Sequence, residues 1–498
     1  MNEPESGLDK PAAADIACGR RLALQQLLVW SAAGAIGVPL AGCGSGSGEG
    51  AASAVPAPPP PVAPSPAVQR LLAALQAPAL AVRTAPLVVT QGAGNDTTSS
   101  FGAGAQVHPP LSNPGAASLA SVATVWGFRR DRWWVPGVGQ AVIAGQVVYP
   151  VTRRHPAATL GSEAVCGLHF MLEGSGFEVL FAGSNPGITL VVDGQYATPT
   201  LINRAWAAGV AGAPLSQPNT FVRVDFGTAQ PRRVSLYARS TQGPCAVAVA
   251  AADLLQPWDR ADAASMSFMA DSYGGASGPQ WGVGGVFWEA AARLGIAHID
   301  GNAIGGTGYA PNSAPGYSNA GDAFPARLAS SVDTLPDLFI TAGGINDNNS
   351  LALPPYATAQ AARDGFNAAV SSYFSQLRAA LPQSVLVALG PWAPRQVTPT
   401  DPVAQSKADT IRAALQAAGG SWIFVDNLNG GWACSSGARS AGAGAGPWQT
   451  GTGNSAAPAG NGNGDLYLAA DGVHPSVAGA LYLATRLATD LRQALLSL

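Results

Sequence analysis

From Ser121 to Ala251 the apolar positions come in short runs, some alternating with polar ones, and turn-forming residues separate them. Ala141–Tyr149, His169–Leu172, Phe177–Phe181, Ile188–Val192, Phe221–Phe226, Val234–Ala238 and Cys245–Ala250 all read as strands, and Asp193-Gly194 suits a hairpin turn. No long helical period interrupts them. The pattern predicts an antiparallel β-sandwich, jelly-roll-like, over residues 116–260. At Ser265 the period changes. Strands at Met266–Met269, Ala297–Ile299, Leu338–Thr341, Val385–Leu389 and Trp422–Val425 now alternate with helical stretches at 279–294, 323–332, 357–381, 403–418 and 475–495. Apolar strands separated by helices predict an α/β domain over 261–498, with a parallel sheet covered on both faces. Residues 430–464 form a long Gly/Ser/Ala loop that reads as a surface insertion.

The start of the chain has a different character. Arg20-Arg21 precedes an uncharged, mostly apolar run from Leu22 to Leu40, which ends in Leu40-Ala41-Gly42-Cys43. Basic residues, an apolar stretch and small residues before a cleavage point describe an export signal over 1–43, the alternative being an uncleaved membrane anchor. Leu-Ala-Gly-Cys resembles the lipobox of bacterial lipoproteins, which implies lipidation of Cys43 and anchoring to a bacterial membrane, on its periplasmic face or at the cell surface. Residues 44–115 read as a Gly/Ser/Pro linker, with Pro58-Pro59-Pro60-Pro61 as an extended spacer and a short helix from Ala67 to Gln76.

Charged residues make up only 11% of the chain and the formal net charge is −3, so a nucleic-acid partner is not expected. Of the five cysteines, Cys18 and Cys43 lie in the export segment and Cys434 in the long loop. Cys166 and Cys245 fall in the β-rich region, as a disulfide in an oxidising compartment or as two separate buried thiols. No C-x-x-C spacing supports a cysteine zinc site.

Chemistry gathers where the α/β strands end. Asp271-Ser272 closes the first strand, where ligands bind in open α/β sheets. Ser272 there is a nucleophile or a helix N-cap. Gly305-Gly306-Thr307-Gly308 follows the second strand and suits close backbone approach to a ligand, or a plain turn. It lacks the Lys-Ser/Thr of a phosphate-binding loop. Gly343-Gly344-Ile345-Asn346-Asp347 follows the third strand, and an Asn amide there is an oxyanion donor or an Asn turn. Asp471-Gly472-Val473-His474-Pro475 places a carboxylate three residues before an imidazole. In a tight loop the Asp accepts from one ring nitrogen and leaves the other as a base. His108 and His155 precede prolines, while His169 and His298 sit in strands, so none rivals His474.

Ala270-Asp271-Ser272, a Gly block, Gly-x-Asn-Asp and Asp-x-Val-His-Pro, in this order, resemble the SGNH (GDSL-type) hydrolase superfamily over residues 265–498. The resemblance implies a flavodoxin-like three-layer parallel sheet, with Ser272 as nucleophile, His474 as base and Asp471 behind it. It also implies an oxyanion hole of Ser272, Gly306 and Asn346, Gly306 being preferred over Gly305. Ala270 stands where the family commonly has Gly. A β-sandwich before such a domain is similar to the two-domain carbohydrate O-acetyl esterases, and Phe177–Phe181 with Val192-Asp193-Gly194 resembles their jelly-roll domains. The expected activity is ester hydrolysis on an acylated small molecule or polysaccharide, with O-acetyl groups on a glycan as the leading substrate and no metal or cofactor. Trp392, after the fourth strand, is placed to line the pocket. Trp432 and Trp448 offer sugar-stacking faces or plain packing. An O-acyltransferase or lipase-like esterase on the same triad, and a glycan-binding lipoprotein with an inactive site, are the alternatives.

Overall fold

The structure of the chain is a computed structural model. The residues it describes begin at Pro64 and are, in the main, 64–76, 165–181, 188–197, 221–239, 244–257, 263–275, 285–311, 321–392, 401–429 and 473–498, with short stretches at 81–82, 87–91, 98–108, 141–148 and 210–211. The export segment with Cys43, Trp432, Cys434, Trp448 and Asp471 lie outside the described residues, as do the side chains of Cys166 and Cys245.

The second half of the chain builds a five-stranded parallel sheet. Its spatial order is His298–Ala303, Ser265–Ala270, Leu338–Ala342, Val385–Leu389, Trp422–Val425. In chain order this is 2-1-3-4-5, the flavodoxin-like arrangement, in which the first strand lies between the second and the third. Successive side chains serve opposite faces. Met266, Phe268 and Ala270, Leu338, Ile340 and Ala342, and Val385, Val387 and Leu389 enter one apolar cluster, while Met269, Phe339, Leu386 and Ala388 enter the other. Both faces are covered, so these strands read as continuous apolar runs in the sequence.

The first cluster is closed by the helices Pro66–Gln76, Val286–Arg293 and Val477–Leu495. The second is closed by Phe324–Arg327, Ala359–Ala380 and Pro402–Ala417. Local chemistry starts the two longest helices of this second face. The Thr358 hydroxyl accepts from Ala361 N–H at 3.0 Å, and Asp401, just before Pro402, accepts from Val403 N–H at 2.9 Å. Helix Pro66–Gln76 falls in the stretch that reads as linker, yet Leu71 and Leu75 are buried against the α/β core. The Arg70 guanidinium bonds the buried Asp337 carboxylate at 2.7 Å, and Arg492 donates to the Leu75 carbonyl at 2.9 Å. Asp337 also accepts from Ser265 N–H at 3.0 Å, so one carboxylate ties this helix to the start of the first strand.

The other sheet is ten-stranded, and its two long strands, Val165–Phe181 and Phe221–Arg239, pair antiparallel. Their ladder shifts register between Asp225 and Gln230, which bends the ribbon. Beyond the bend Phe221–Arg239 changes its second partner, from Leu87–Gln91 to Ile188–Val192. Val191 joins the apolar cluster of the α/β half. Ala141–Ile143 and Gln146–Val148 form a separate two-stranded antiparallel sheet, so the pairings give a mixed α/β protein with one parallel sheet and one large, largely antiparallel one.

Candidate active site

Three strand ends lie level. Ala270 pairs with Ala303 on one side and with Ala342 on the other, so the segments that follow all leave the sheet at the same edge. That edge straddles the switch in strand order, where neighbouring connections part and open a crevice. Ser272 emerges there as the first residue of the short helix Ser272–Gly275, with 8% of its surface exposed. The Ala270 methyl is tolerated because the residue facing it, Gly274, has no side chain: a Cβ on Gly274 would stand 2.4 Å from the Ala270 Cβ.

His474 comes from the far end of the chain. Its Nε2 lies 2.9 Å from Ser272 Oγ across 202 residues of sequence. The structure thus brings together the Ser and the His singled out in the sequence. Asp471 lies outside the described residues.

The Gly block forms a turn directly after strand His298–Ala303, with Gly306 in the left-handed region at φ 75°. The Asn block forms a turn after Leu338–Ala342, and the two turns are clamped together. Asn346 Nδ2 donates to the Thr307 carbonyl at 3.0 Å, which fixes the orientation of the amide. The Asp347 carboxylate accepts from Ala310 N–H at 2.8 Å and Tyr309 N–H at 3.2 Å. From the Asn block's other side the half-turn is held by Lys407, whose Nζ donates to the Gly344 carbonyl at 2.8 Å.

Beneath the Gly block lies Arg327, wholly buried. Its guanidinium donates to Thr307 Oγ1 at 2.9 Å, Asn302 Oδ1 at 2.7 Å and the Asp322 carbonyl at 2.8 Å. Burial lowers its pKa to about 10, still well above neutrality, so it remains a cation under the turn. Neither Arg327 nor Lys407 stands out in the sequence. Arg327 ends the four-residue helix Phe324–Arg327 and Lys407 lies on a longer amphipathic one, and only the packed structure shows that both side chains are buried.

Asp271, next to the nucleophile candidate, is fully buried. Its Oδ1 accepts from Tyr273 N–H at 2.9 Å, while Oδ2 has no hydrogen-bond partner among the described residues. Burial raises its pKa to about 7; the Tyr273 N–H opposes that rise and the nearby Asp347 adds to it. Burial likewise raises the pKa of Asp347 and lowers that of Lys407, and the attraction between these two opposes both shifts.

Trp392 is only 4% exposed, with its ring stacked on Tyr273 at 4.7 Å and an interplanar angle of 7°. In this structure that indole face is occupied by a tyrosine rather than open to a sugar. Among the described residues no group of three His, Cys, Asp or Glu side chains is placed to hold a metal ion.

No protein-family model matches the sequence. No curated protein matches it either. Several solved structures are similar. One is a carbohydrate esterase family 2 enzyme with its carbohydrate-binding domain from Corynascus thermopiles (Myceliophthora fergusii), 18% identical over 70% of this chain and 99% of that one, with a TM-score of 0.40. Another is an active-site mutant of a family two carbohydrate esterase from Clostridium thermocellum, 15% identical over 70% and 99% of the two chains, with a TM-score of 0.43. A third is the salicylyl-acyltransferase SsfX3 from a tetracycline biosynthetic pathway, 13% identical over 66% and 82%, with a TM-score of 0.43. Carbohydrate esterases and an acyltransferase thus stand among the solved structures similar to this chain.

Proposed function

We propose that this chain is a serine esterase that removes acyl groups, acetyl above all, from a glycan. The observation that carries the reading is the 2.9 Å approach of His474 Nε2 to Ser272 Oγ at the switch-point edge of the parallel sheet. As Ser272 Oγ attacks the ester carbonyl, His474 Nε2 takes the hydroxyl proton. The resulting tetrahedral oxyanion is held by the backbone N–H groups of Ser272 and Gly306 and by the Asn346 amide, already oriented by its bond to Thr307. Collapse breaks the ester C–O bond, and the imidazolium returns the proton to the departing alkoxide. Water, deprotonated by His474, then attacks the acyl-serine and releases the acid. Asp471, three residues before His474, holds the imidazole tautomer and stabilises its cation.

Support for a glycan substrate comes from the β-rich region ahead of the α/β domain. We read it as a jelly-roll-like accessory domain, consistent with the bend in its long ribbon. Trp392 acts as the fixed wall behind Tyr273. The apolar run ending in Leu-Ala-Gly-Cys supports an exported protein tethered by a lipid on Cys43.

Hydrolysis of p-nitrophenyl esters of increasing chain length, and acetate release from acetylated polysaccharides, test this reading. Ser272→Ala is expected to lower turnover by at least about 10³-fold and to abolish labelling by a fluorophosphonate. Ester hydrolysis that survives Ser272→Ala undiminished refutes the mechanism. Activity confined to long acyl chains refutes the deacetylase assignment and leaves a lipase-like enzyme.

A further inference from the structure

Ser272 and His474 meet from opposite ends of the α/β half, so something must hold the His474 segment at hydrogen-bond distance from the serine. The residue after the nucleophile contacts both sides. The Tyr273 N–H donates to Asp271 Oδ1 at 2.9 Å, which fixes it in the turn that presents Ser272. Its phenolic hydroxyl reaches across and donates to the carbonyl of Val473, the residue immediately before His474. Its ring is stacked on Trp392 and lies 5.9 Å from the imidazole, centroid to centroid. The side chain is almost fully buried. Parallel stacking on one side and a hydrogen bond at the tip leave the ring little freedom to swing. A donor to a backbone carbonyl also sets the path of the peptide that carries the imidazole.

We infer that Tyr273 is a positioning residue: its hydroxyl clasps the Val473 carbonyl and thereby holds His474 Nε2 against Ser272 Oγ. The role belongs to its hydroxyl, which bonds a backbone carbonyl. The inference rests on the serine-esterase reading above, because only there does the distance between these two side chains set the rate. It explains the use of a buried, stacked tyrosine at this position. A phenylalanine fills the same space against Trp392 but cannot bond the carbonyl.

Tyr273→Phe is the test, since it removes the hydroxyl and keeps the ring. In the full chain, the variant is expected to keep its melting temperature within a few degrees and its near-ultraviolet circular dichroism from the stacked Trp392. Its kcat on p-nitrophenyl acetate is expected to fall by about 10- to 100-fold, because a misplaced base loses that much, while KM changes less than about twofold. The rate of Ser272 labelling by a small fluorophosphonate should fall by the same factor as kcat, since both require His474 to take the serine proton. Trp392→Leu, which removes the stacking partner but leaves the hydroxyl, should lower both rates less than Tyr273→Phe does. Wild-type kcat and labelling in Tyr273→Phe overturn the clasp. So does a large drop in melting temperature with kcat and KM both degraded, which marks a purely structural role. Ser272→Ala separates the two levels. If it is inactive while Tyr273→Phe is unaffected, the esterase stands and the clasp falls. If Ser272→Ala is fully active, both fall.

Discussion

Asp271→Asn isolates a single buried titration. The Asp271 carboxyl is fully buried beside the nucleophile turn, and burial lifts its pKa from 3.8 to about 7. Below pH 3.8 it is protonated in both the folded and the unfolded chain, and the folded state carries no penalty from it. As pH rises from there towards 7, the unfolded chain releases this proton and the folded chain keeps it, so stability falls across that window and levels off above it. A rise of about three pKa units at about 1.4 kcal/mol each gives a loss on the order of 4 kcal/mol between pH 4 and pH 8. Asn keeps the acceptor that Tyr273 N–H uses at 2.9 Å and cannot ionise. Any fixed cost of its amide applies at every pH and cancels when the difference is followed against pH. Thermal melting of both proteins from pH 4 to pH 8 reads the effect. At about 2 °C per kcal/mol the variant should gain roughly 8 °C on the wild type across the range, with the gain concentrated below pH 7. A difference in melting temperature that does not change with pH refutes the reasoning and shows that Asp271 titrates like an exposed carboxyl.

Two further predictions concern the clamped turns. Asn346→Ala removes the proposed oxyanion donor and should lower kcat by about 10²- to 10³-fold with little change in melting temperature; an effect below about tenfold removes Asn346 from the oxyanion hole. Gly308→Ala would bring a Cβ to 2.2 Å from Asp347 Oδ2. It should push that carboxylate off the Tyr309 and Ala310 N–H groups, cost about 1–3 kcal/mol by denaturant unfolding and lower kcat as well; an unaltered variant would mean that the two turns are not coupled through Asp347.

The α/β half was legible because its strands are buried on both faces. Such strands show up as uninterrupted apolar runs, and helices with a clear period separate them. Ser272, Gly306 and Asn346 could be singled out because each follows a strand that the sequence makes plain, and His474 because Asp471 stands three residues before it. The antiparallel half shows in the sequence only in pieces. His169–Leu172 and Phe177–Phe181 look like two strands because glycines lie between them, but they belong to the single strand Val165–Phe181. Gly176 is there because a Cβ would stand 2.5 Å from the Val224 carbonyl oxygen of the paired strand. In the same way, Pro231 falls inside Phe221–Arg239 and pairs with Glu173, although proline usually marks the end of a strand. The buried charges could not be read at all. Arg327 and Lys407 become part of the site only through partners 20 and 63 residues away, Thr307 and Gly344, and no local pattern encodes those distances. Nothing in the sequence singles out Tyr273, because its reach to Val473 spans 200 residues.

Helix Pro66–Gln76 also affects the order in which the protein can fold. It belongs to the same layer as Val477–Leu495, yet Arg492 and Leu75, which bond each other, are 417 residues apart. A ribosome makes this helix well before the helix that covers it. Until then Leu71 and Leu75 have no permanent neighbour on that side, and the antiparallel region is synthesised between the two halves of one core. Contacts of such sequence separation form slowly and late. The parallel sheet is therefore sealed only after Val477–Leu495 has been made, and loss of that helix exposes the apolar side of Pro66–Gln76.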